Sequence, residues 1–223
     1  MARHRNDGWV PQQHGAWAML VVPYLLGAIG LVRSGGTGPR EWVVLPLLFV
    51  TWMIGYFTFN AATLWLKARP RRRPAFVRPI LTYGAVTAVA GLAVLALAPR
   101  LLWWAPVYGL LTGVTFLLVH RGDERSVPSG LLTTAAASLM AATTQAWTPA
   151  EATADHWALA GVCGTYFFGT VLYVKTLIRE RGKPAWVWVS GAYHLALVAA
   201  CAALAAAGGL PGAADWGRGA WVA

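Results

Sequence analysis

Seven long apolar segments separated by short polar loops constrain this chain most strongly. They occupy residues 15–32, 42–66, 80–98, 101–119, 130–147, 157–174 and 185–207. A helix that crosses the roughly 30 Å hydrocarbon layer of a bilayer needs about 20 mostly apolar residues, and each segment meets that length to within a few residues. In the fifth, Thr133, Thr143 and Gln145 interrupt an alanine run, and such a helix is expected inside a bundle. The sequence therefore predicts an all-α, polytopic transmembrane bundle of about seven spans, in a single membrane domain over residues 1–223.

The amino-acid composition also indicates that the chain lies in a lipid bilayer. Of 223 residues, 57% are hydrophobic and only 12% are charged, and the mean hydropathy is +0.52. A net charge of +10 would suggest a nucleic acid partner in a soluble protein. Here a lipid bilayer with anionic lipids accounts for the charge first, so no nucleic acid partner is expected.

The basic N-terminal start resembles a signal peptide without a convincing cleavage site, which favours an uncleaved first helix. Cys163 and Cys201 lie in apolar segments and are expected to be small buried hydrophobes.

The distribution of lysine and arginine predicts the orientation. Cytoplasmic loops of membrane proteins retain positive charge. With the N-terminus inside, fourteen of the eighteen basic residues are cytoplasmic: Arg3, Arg5, Lys67, Arg69, Arg71, Arg72, Arg73, Arg78, Arg121, Arg125, Lys175, Arg179, Arg181 and Lys183. The outside segments hold Arg33, Arg40, Arg100 and Arg218. We therefore expect a cytoplasmic N-terminus and an outside C-terminus, with the Gly-rich residues from 208 onward at the outer surface.

The positions of the tryptophans agree with this orientation, and a pair of glycines predicts a helix contact. Trp9, Trp65, Trp186 and Trp188 fall near the inner boundary, and Trp42, Trp103, Trp104, Trp147 and Trp157 near the outer one. Such residues typically anchor helices at the membrane interface. Gly109 and Gly113 form a small-xxx-small pair, which is typical of close helix–helix contact in membranes.

The first candidate site precedes the first span. Pro11 is followed by Gln12, Gln13 and His14 at the positive end of the predicted helix. These residues either cap the helix beside a tryptophan anchor or bind an anionic headgroup, and His14 could also exchange protons.

A second candidate site lies at the end of the second span. Tyr56, Asn60, Thr63 and Lys67 recur on one helical face, which should turn inward because polar groups are costly in hydrocarbon. The segment from Lys67 to Arg78 holds six basic residues, including Arg69. The stripe either hydrogen-bonds neighbouring helices or binds a ligand. The basic run either sets topology and attracts anionic lipids or clamps a phosphate or diphosphate.

Two further candidate sites lie in the last two spans. Lys175 and Arg179 share a face at the end of the sixth span, followed by Arg181. Because Lys67 and Lys175 both end apolar segments, an internal duplication is a further hypothesis. In the seventh span His194 is either bonded to another helix or functional. No cluster has metal-ligand spacing, so neither a metal nor a cofactor is expected.

Two motifs carry a family resemblance. The segments Pro-Gln-Gln-His-Gly-Ala-Trp-Ala-Met at 11–19 and Leu-Tyr-Val-Lys-Thr-Leu-Ile-Arg-Glu-Arg at 172–181 resemble the YwiC-like family of bacterial membrane proteins. This resemblance implies a multi-pass protein of the bacterial cytoplasmic (inner) membrane, and no particular activity. A more distant architectural resemblance is to UbiA-type prenyltransferases, whose active motifs lie at the ends of the second and sixth spans. The Asp-rich metal ligands of that family are missing here, where Asn60 and basic residues stand.

Three functions follow from these features. The first is non-catalytic binding of a phosphorylated lipid, an isoprenoid or a partner subunit at the basic cytoplasmic face. The second is a degenerate or metal-independent prenyltransferase, and the third is a small transporter that uses the Tyr56 stripe and His194. The sequence does not decide whether the protein is an enzyme, nor its oligomeric state.

Overall fold

The computed structural model describes residues 8–206, and every regular element among them is helical. Seven longer helices run in order: α1 His14–Arg33, α2 Pro39–Lys67, α3 Pro74–Leu97, α4 Ala105–His120, α5 Val127–Thr143, α6 Ala154–Val174 and α7 Pro184–Ala206. Short turns of 3₁₀ helix cover Pro70–Arg72, Pro99–Trp104 and Pro149–Glu151, and a π-helix covers Lys175–Arg179. The all-α prediction is confirmed. The expectations for Arg3, Arg5, Arg218 and the segment from 208 lie outside the described residues.

Six of the helices in the described part are long and apolar enough to cross a membrane. The protein is therefore a multi-pass membrane protein, as predicted. The exception is α5, whose 17 residues make a helix of about 25 Å. It begins after Ser126, whose hydroxyl accepts a bond of 3.3 Å from the Ser129 amide, and it ends four residues before the predicted boundary.

Prolines set several helix starts. Pro39, Pro74 and Pro184 each occupy the first position of a helix, where the missing amide hydrogen costs nothing. Hydropathy placed the third span at residue 80, because apolar character begins only after Arg78. The helix itself begins six residues earlier and includes Arg78 in its second turn.

The chain divides into two compact units, Met1–Gly164 and Thr165–Ala223. In the first unit α2 packs along α3, while α5 packs against α1 and α4. α5 is the most buried helix, with Ala137, Ala141 and Ala142 in the core. Its expected place inside a bundle is confirmed.

α1 and α5 approach closely because α1 carries glycines where they meet. A β-carbon on Gly27 would overlap the Thr144 hydroxyl and the Ala141 carbonyl, and one on Gly30 would overlap the Gln145 side chain. By contrast, a β-carbon on Gly109 or Gly113 would meet nothing within 4 Å in the described structure outside their own helix. Within a single chain, Gly109 and Gly113 therefore make no close contact with another described helix. The prediction of a close approach at this pair was wrong within the single chain.

A buried core closes one end of the first unit. Trp104 is 2% exposed, its Nε1 donates to the Ala146 carbonyl at 2.9 Å, and its ring lies 5.7 Å from that of Trp157. Arg40 donates to the Leu97 carbonyl and lies 4.6 Å over the Trp147 ring. Trp104 is thus a core residue, and its predicted role as an interface anchor was wrong.

The described part of the second unit, residues 165–206, is a helical hairpin formed by the end of α6, the π-helix and α7. The Tyr193 hydroxyl donates to the Thr165 carbonyl at 2.8 Å, and the rings of Tyr193 and Phe168 lie 5.5 Å apart. Near the turn, the Thr176 hydroxyl donates to the Trp186 carbonyl at 3.1 Å. The prediction of a single membrane domain stays a prediction.

Candidate functional site

A cavity of about 540 Å³ lies in the first unit. Helices α1 to α5 and the turn Pro99–Trp104 contribute its walls. The lining runs from Gln13, just before α1, to Trp104, in the turn between α3 and α4. Two residues that the sequence singled out, Gln13 and Tyr56, both line it.

Five aromatic side chains line the cavity: Trp52, Tyr56, Phe59, Trp104 and Tyr108. The first three follow one face of α2. The ring of Tyr108 continues this surface, with centroids 5.8 Å from Trp52 and 6.4 Å from Trp104. We call these five residues the aromatic wall. Sequence reasoning missed it, because aromatic residues that face lipid and those that face a cavity look alike in an apolar segment.

Several polar groups of the lining are already bonded within the protein. The Tyr108 hydroxyl and the Thr143 hydroxyl lie 2.9 Å apart, and the Trp52 Nε1 donates to the Leu20 carbonyl at 3.2 Å. Thr51 and Thr115 donate to carbonyls of their own helices. None of the described lining residues carries a charge.

The polar stripe of α2 is divided in the structure. Tyr56 lines the cavity, whereas Asn60 is 7% exposed and its Nδ2 has no hydrogen-bond partner among the described residues. Thr63 donates to the Asn60 carbonyl at 2.8 Å. Lys67 reaches the loop before α5, where its Nζ lies 3.3 Å from Glu124 Oε1. Glu124 was missed, since nothing local in the sequence indicates a contact across 57 residues.

An exposed basic corner joins α2 and α3. We define it as Arg69, Arg71, Arg72 and Arg78, all of which are exposed. Arg73 differs, because its guanidinium lies 4.7 Å from the Trp65 ring centroid and donates to the Ala68 carbonyl at 3.3 Å. This contact holds the 3₁₀ turn Pro70–Arg72 against α2 and leaves the corner facing outward.

Aromatic contacts hold the segment before α1 in place. The Tyr83 hydroxyl donates to the Trp9 carbonyl at 2.7 Å, and the two rings lie 5.6 Å apart. Trp17 and Tyr83 both pack edge-on against Phe57, with centroids 5.6 Å and 5.2 Å away. Gln12 and Gln13 are exposed, and His14 is the first residue of α1. The predicted helix start is confirmed, and no side chain caps it.

In the second unit Lys175 is turned inward. Its side chain is 12% exposed, and its Nζ lies 3.9 Å from Glu180 and 4.8 Å from the Trp186 ring centroid. The segment Lys175–Arg179 is a π-helix, in which the Glu180 amide donates to the Lys175 carbonyl five residues back. Arg179 and Arg181 are exposed. The α-helix predicted for this end of the sixth span was therefore wrong at Lys175–Arg179, where Lys175 is largely buried and Arg179 is exposed.

Glu180 links two lysines in this turn. Its Oε2 accepts a bond of 2.7 Å from Lys183. That hydrogen bond, with the positive charges of Lys183 and Lys175, holds the pKa of the Glu180 carboxyl below its ordinary value against the opposing effect of desolvation. The carboxylate therefore stays charged and neutralises part of the basic cluster.

His194 makes a contact within its own helix. Its Nδ1 lies 2.7 Å from the Ser190 carbonyl, which can only accept, so Nδ1 carries the hydrogen. Its ring packs edge-on against Tyr193 at 5.6 Å. This bond lies within α7, so it is not the bond to another helix that the sequence offered as one alternative. Among residues 8–206, no three His, Cys, Asp or Glu side chains lie where they could hold a metal ion.

Comparison with known proteins identifies the family. A family described as "YwiC-like protein" matches residues 10–145, a range that includes every residue lining the cavity. The chain belongs to the YwiC-like family. It is also 31% identical over 193 residues to the "Uncharacterized protein YwiC" of Bacillus subtilis (strain 168), which covers 84% of this chain and 74% of that protein. No solved structure matches the chain.

The family assignment confirms the resemblance carried by the motif at 11–19, which lies within the matched range. Because the cavity also falls within that range, the YwiC-like region and the candidate site coincide. The resemblance to UbiA-type prenyltransferases stays a prediction.

Proposed function

We propose that this YwiC-like protein binds a phosphate-bearing anionic lipid at the basic corner, on the cytoplasmic side of the bacterial cytoplasmic membrane. The observation that carries the proposal is the four exposed arginines of the corner, which lie within ten residues around a turn that Arg73 holds against Trp65. Guanidinium groups match the geometry of phosphate oxygens, because they donate paired hydrogen bonds. Each basic residue near an anionic membrane contributes about 1 kcal/mol.

The neighbouring contacts support an anionic headgroup at this place. Lys67 lies against Glu124, so its charge is partly neutralised within the protein. The arginines of the corner are exposed, and the excess of positive charge predicts that this end of α2 is cytoplasmic. Gln12 and Gln13, exposed before α1, offer neutral donors on the same predicted side of the membrane.

Lipid titration of the purified protein tests this function. We expect phosphatidylglycerol to bind more tightly than phosphatidylcholine in native mass spectrometry. Replacing Arg69, Arg71, Arg72 and Arg78 together by Gln should lower the phosphatidylglycerol affinity at least tenfold, since a tenfold change corresponds to only about 1.4 kcal/mol. Phosphatidylcholine binding should not change.

A matched pair of single variants provides the control. Arg71→Gln removes a charge from the corner, and Arg33→Gln removes one from another exposed position, at the end of α1. Only the first should weaken phosphatidylglycerol binding. Equal affinities for the wild type and the fourfold variant would refute the proposal.

The prenyltransferase and transporter functions stay predictions. No specific observation in the described structure supports either function. His194 bonds within its own helix, and the residues that line the cavity include no carboxylate.

A further inference from the structure

We infer that the cavity of the first unit is a binding site for an uncharged, unsaturated hydrophobic molecule with one hydroxyl or carbonyl oxygen, in the manner of an isoprenoid alcohol. This site lies apart from the basic corner, none of whose residues lines the cavity. The inference therefore does not depend on the binding of a lipid headgroup.

The lining requires a neutral occupant. None of its described residues is Asp, Glu, Lys, Arg or His, and a charged group at membrane depth without a partner costs several kcal/mol. The volume of about 540 Å³ falls within the range of roughly 300–1,000 Å³ that is typical of small-molecule sites. Because the walls are mostly apolar, the occupant is mostly hydrocarbon.

The aromatic wall favours an unsaturated chain. Phe59, Tyr56 and Trp52 follow α2 over seven residues, or about 10 Å along its axis, and Tyr108 and Trp104 extend the surface. Aromatic faces attract the C–H edges of other π systems. Gly55, Gly91 and Ala105 also line the cavity and leave recesses for methyl branches. A branched chain with double bonds matches these walls better than a saturated straight chain.

Polar groups of the lining are available to an oxygen on the ligand. The Gln13 side-chain amide and the Tyr56 hydroxyl both line the cavity, and neither has a hydrogen-bond partner among the described residues. The Tyr108 and Thr143 hydroxyls, in contrast, already bond each other. A ligand oxygen that bonds to Gln13 or Tyr56 would gain a hydrogen bond that the hydrocarbon alone does not make. This end of the cavity sets the direction in which the molecule binds.

Binding of farnesol to the full-length protein in nanodiscs tests the inference, with empty nanodiscs subtracted. Farnesol is expected to bind at least threefold more tightly than hexahydrofarnesol, its saturated analogue. Ala136→Phe fills the cavity, whose lining includes Ala136, and should lower the farnesol affinity at least tenfold. Ala88→Phe makes the same change at an exposed position of α3 and should have no effect.

A second pair of measurements isolates the polar end. Tyr56→Phe should weaken farnesol several-fold and leave farnesene, which lacks the hydroxyl group, unchanged. Thr112→Leu, a smaller change in the lining, covers the case in which Ala136→Phe fails to fold. Wild-type farnesol affinity in a folded Ala136→Phe or Thr112→Leu protein would overturn the inference, as would equal binding of the saturated alcohol. The fourfold arginine variant should retain farnesol binding, so failure here and failure of the headgroup proposal are distinguishable.

Discussion

At the scale of single residues, two adjacent tryptophans show how position overrides residue type. Trp103 is 69% exposed, whereas Trp104 is 2% exposed. Both fit the pattern of an interface anchor, since both end the same 3₁₀ turn at the predicted outer boundary. Only Trp104 turns inward, where it bonds the Ala146 carbonyl. The buried member stabilises the fold, and the exposed member is free to contact lipid.

Replacing each tryptophan by phenylalanine should separate these roles. Trp104→Phe removes the indole donor and leaves the Ala146 carbonyl unpaired, which costs about 1–3 kcal/mol. We expect a clear fall in the midpoint of thermal unfolding in detergent. Trp103→Phe is the matched control and should leave that midpoint nearly unchanged. Similar destabilisation by the two variants would contradict the buried role of Trp104.

At the scale of helices, the contact between α1 and α5 depends on glycine. The Ala141 carbonyl and the Thr144 side chain occupy the space that a β-carbon on Gly27 would need. Small residues at such contacts allow the van der Waals packing that drives helix association in membranes. This contact places α5 inside the first unit, beside the cavity.

Gly27→Ala is therefore expected to destabilise the protein by about 1–3 kcal/mol, as overpacking does. Gly109→Ala, on a helix face with no neighbour within 4 Å in the described structure, should be neutral or slightly stabilising, because alanine favours a helix over glycine. The free energy of unfolding of both variants, measured in mixed micelles with increasing SDS, tests the difference. A neutral Gly27→Ala would show that α1 and α5 are not in close contact.

At the scale of the whole molecule, the charge count predicts a cytoplasmic N-terminus and an outside C-terminus. Single cysteines test this orientation in a background without Cys163 and Cys201. A membrane-impermeant maleimide should label Arg33→Cys in intact cells, and Arg72→Cys only after permeabilisation, because the corner is expected in the cytoplasm. Labelling in the reverse order would invert the topology and remove the cytoplasmic assignment of the basic corner.

Hydropathy predicted the helices well and the site poorly, for one physical reason. Lipid tails are as apolar as a protein interior, so a segment such as α2 shows no contrast between its buried and lipid-facing sides. Tyr56 was identified because its phenol interrupts the apolar pattern, whereas Trp52 and Phe59 were not. The pairing of Lys67 with Glu124 and the π-helix at Lys175 arise from tertiary contacts, which a local pattern does not encode.

The shortness of α5 has a consequence for the surrounding bilayer. At about 25 Å it would be too short for a 30 Å hydrocarbon layer, yet most of its C-terminal half is buried in protein, and Trp104 bonds the Ala146 carbonyl beyond its end. Non-helical backbone at membrane depth requires such shelter. Hydrophobic thickness is therefore matched by the longer helices alone. Lipids with shorter or longer chains should act on these helices more strongly than on the buried C-terminal half of α5 and its share of the cavity wall.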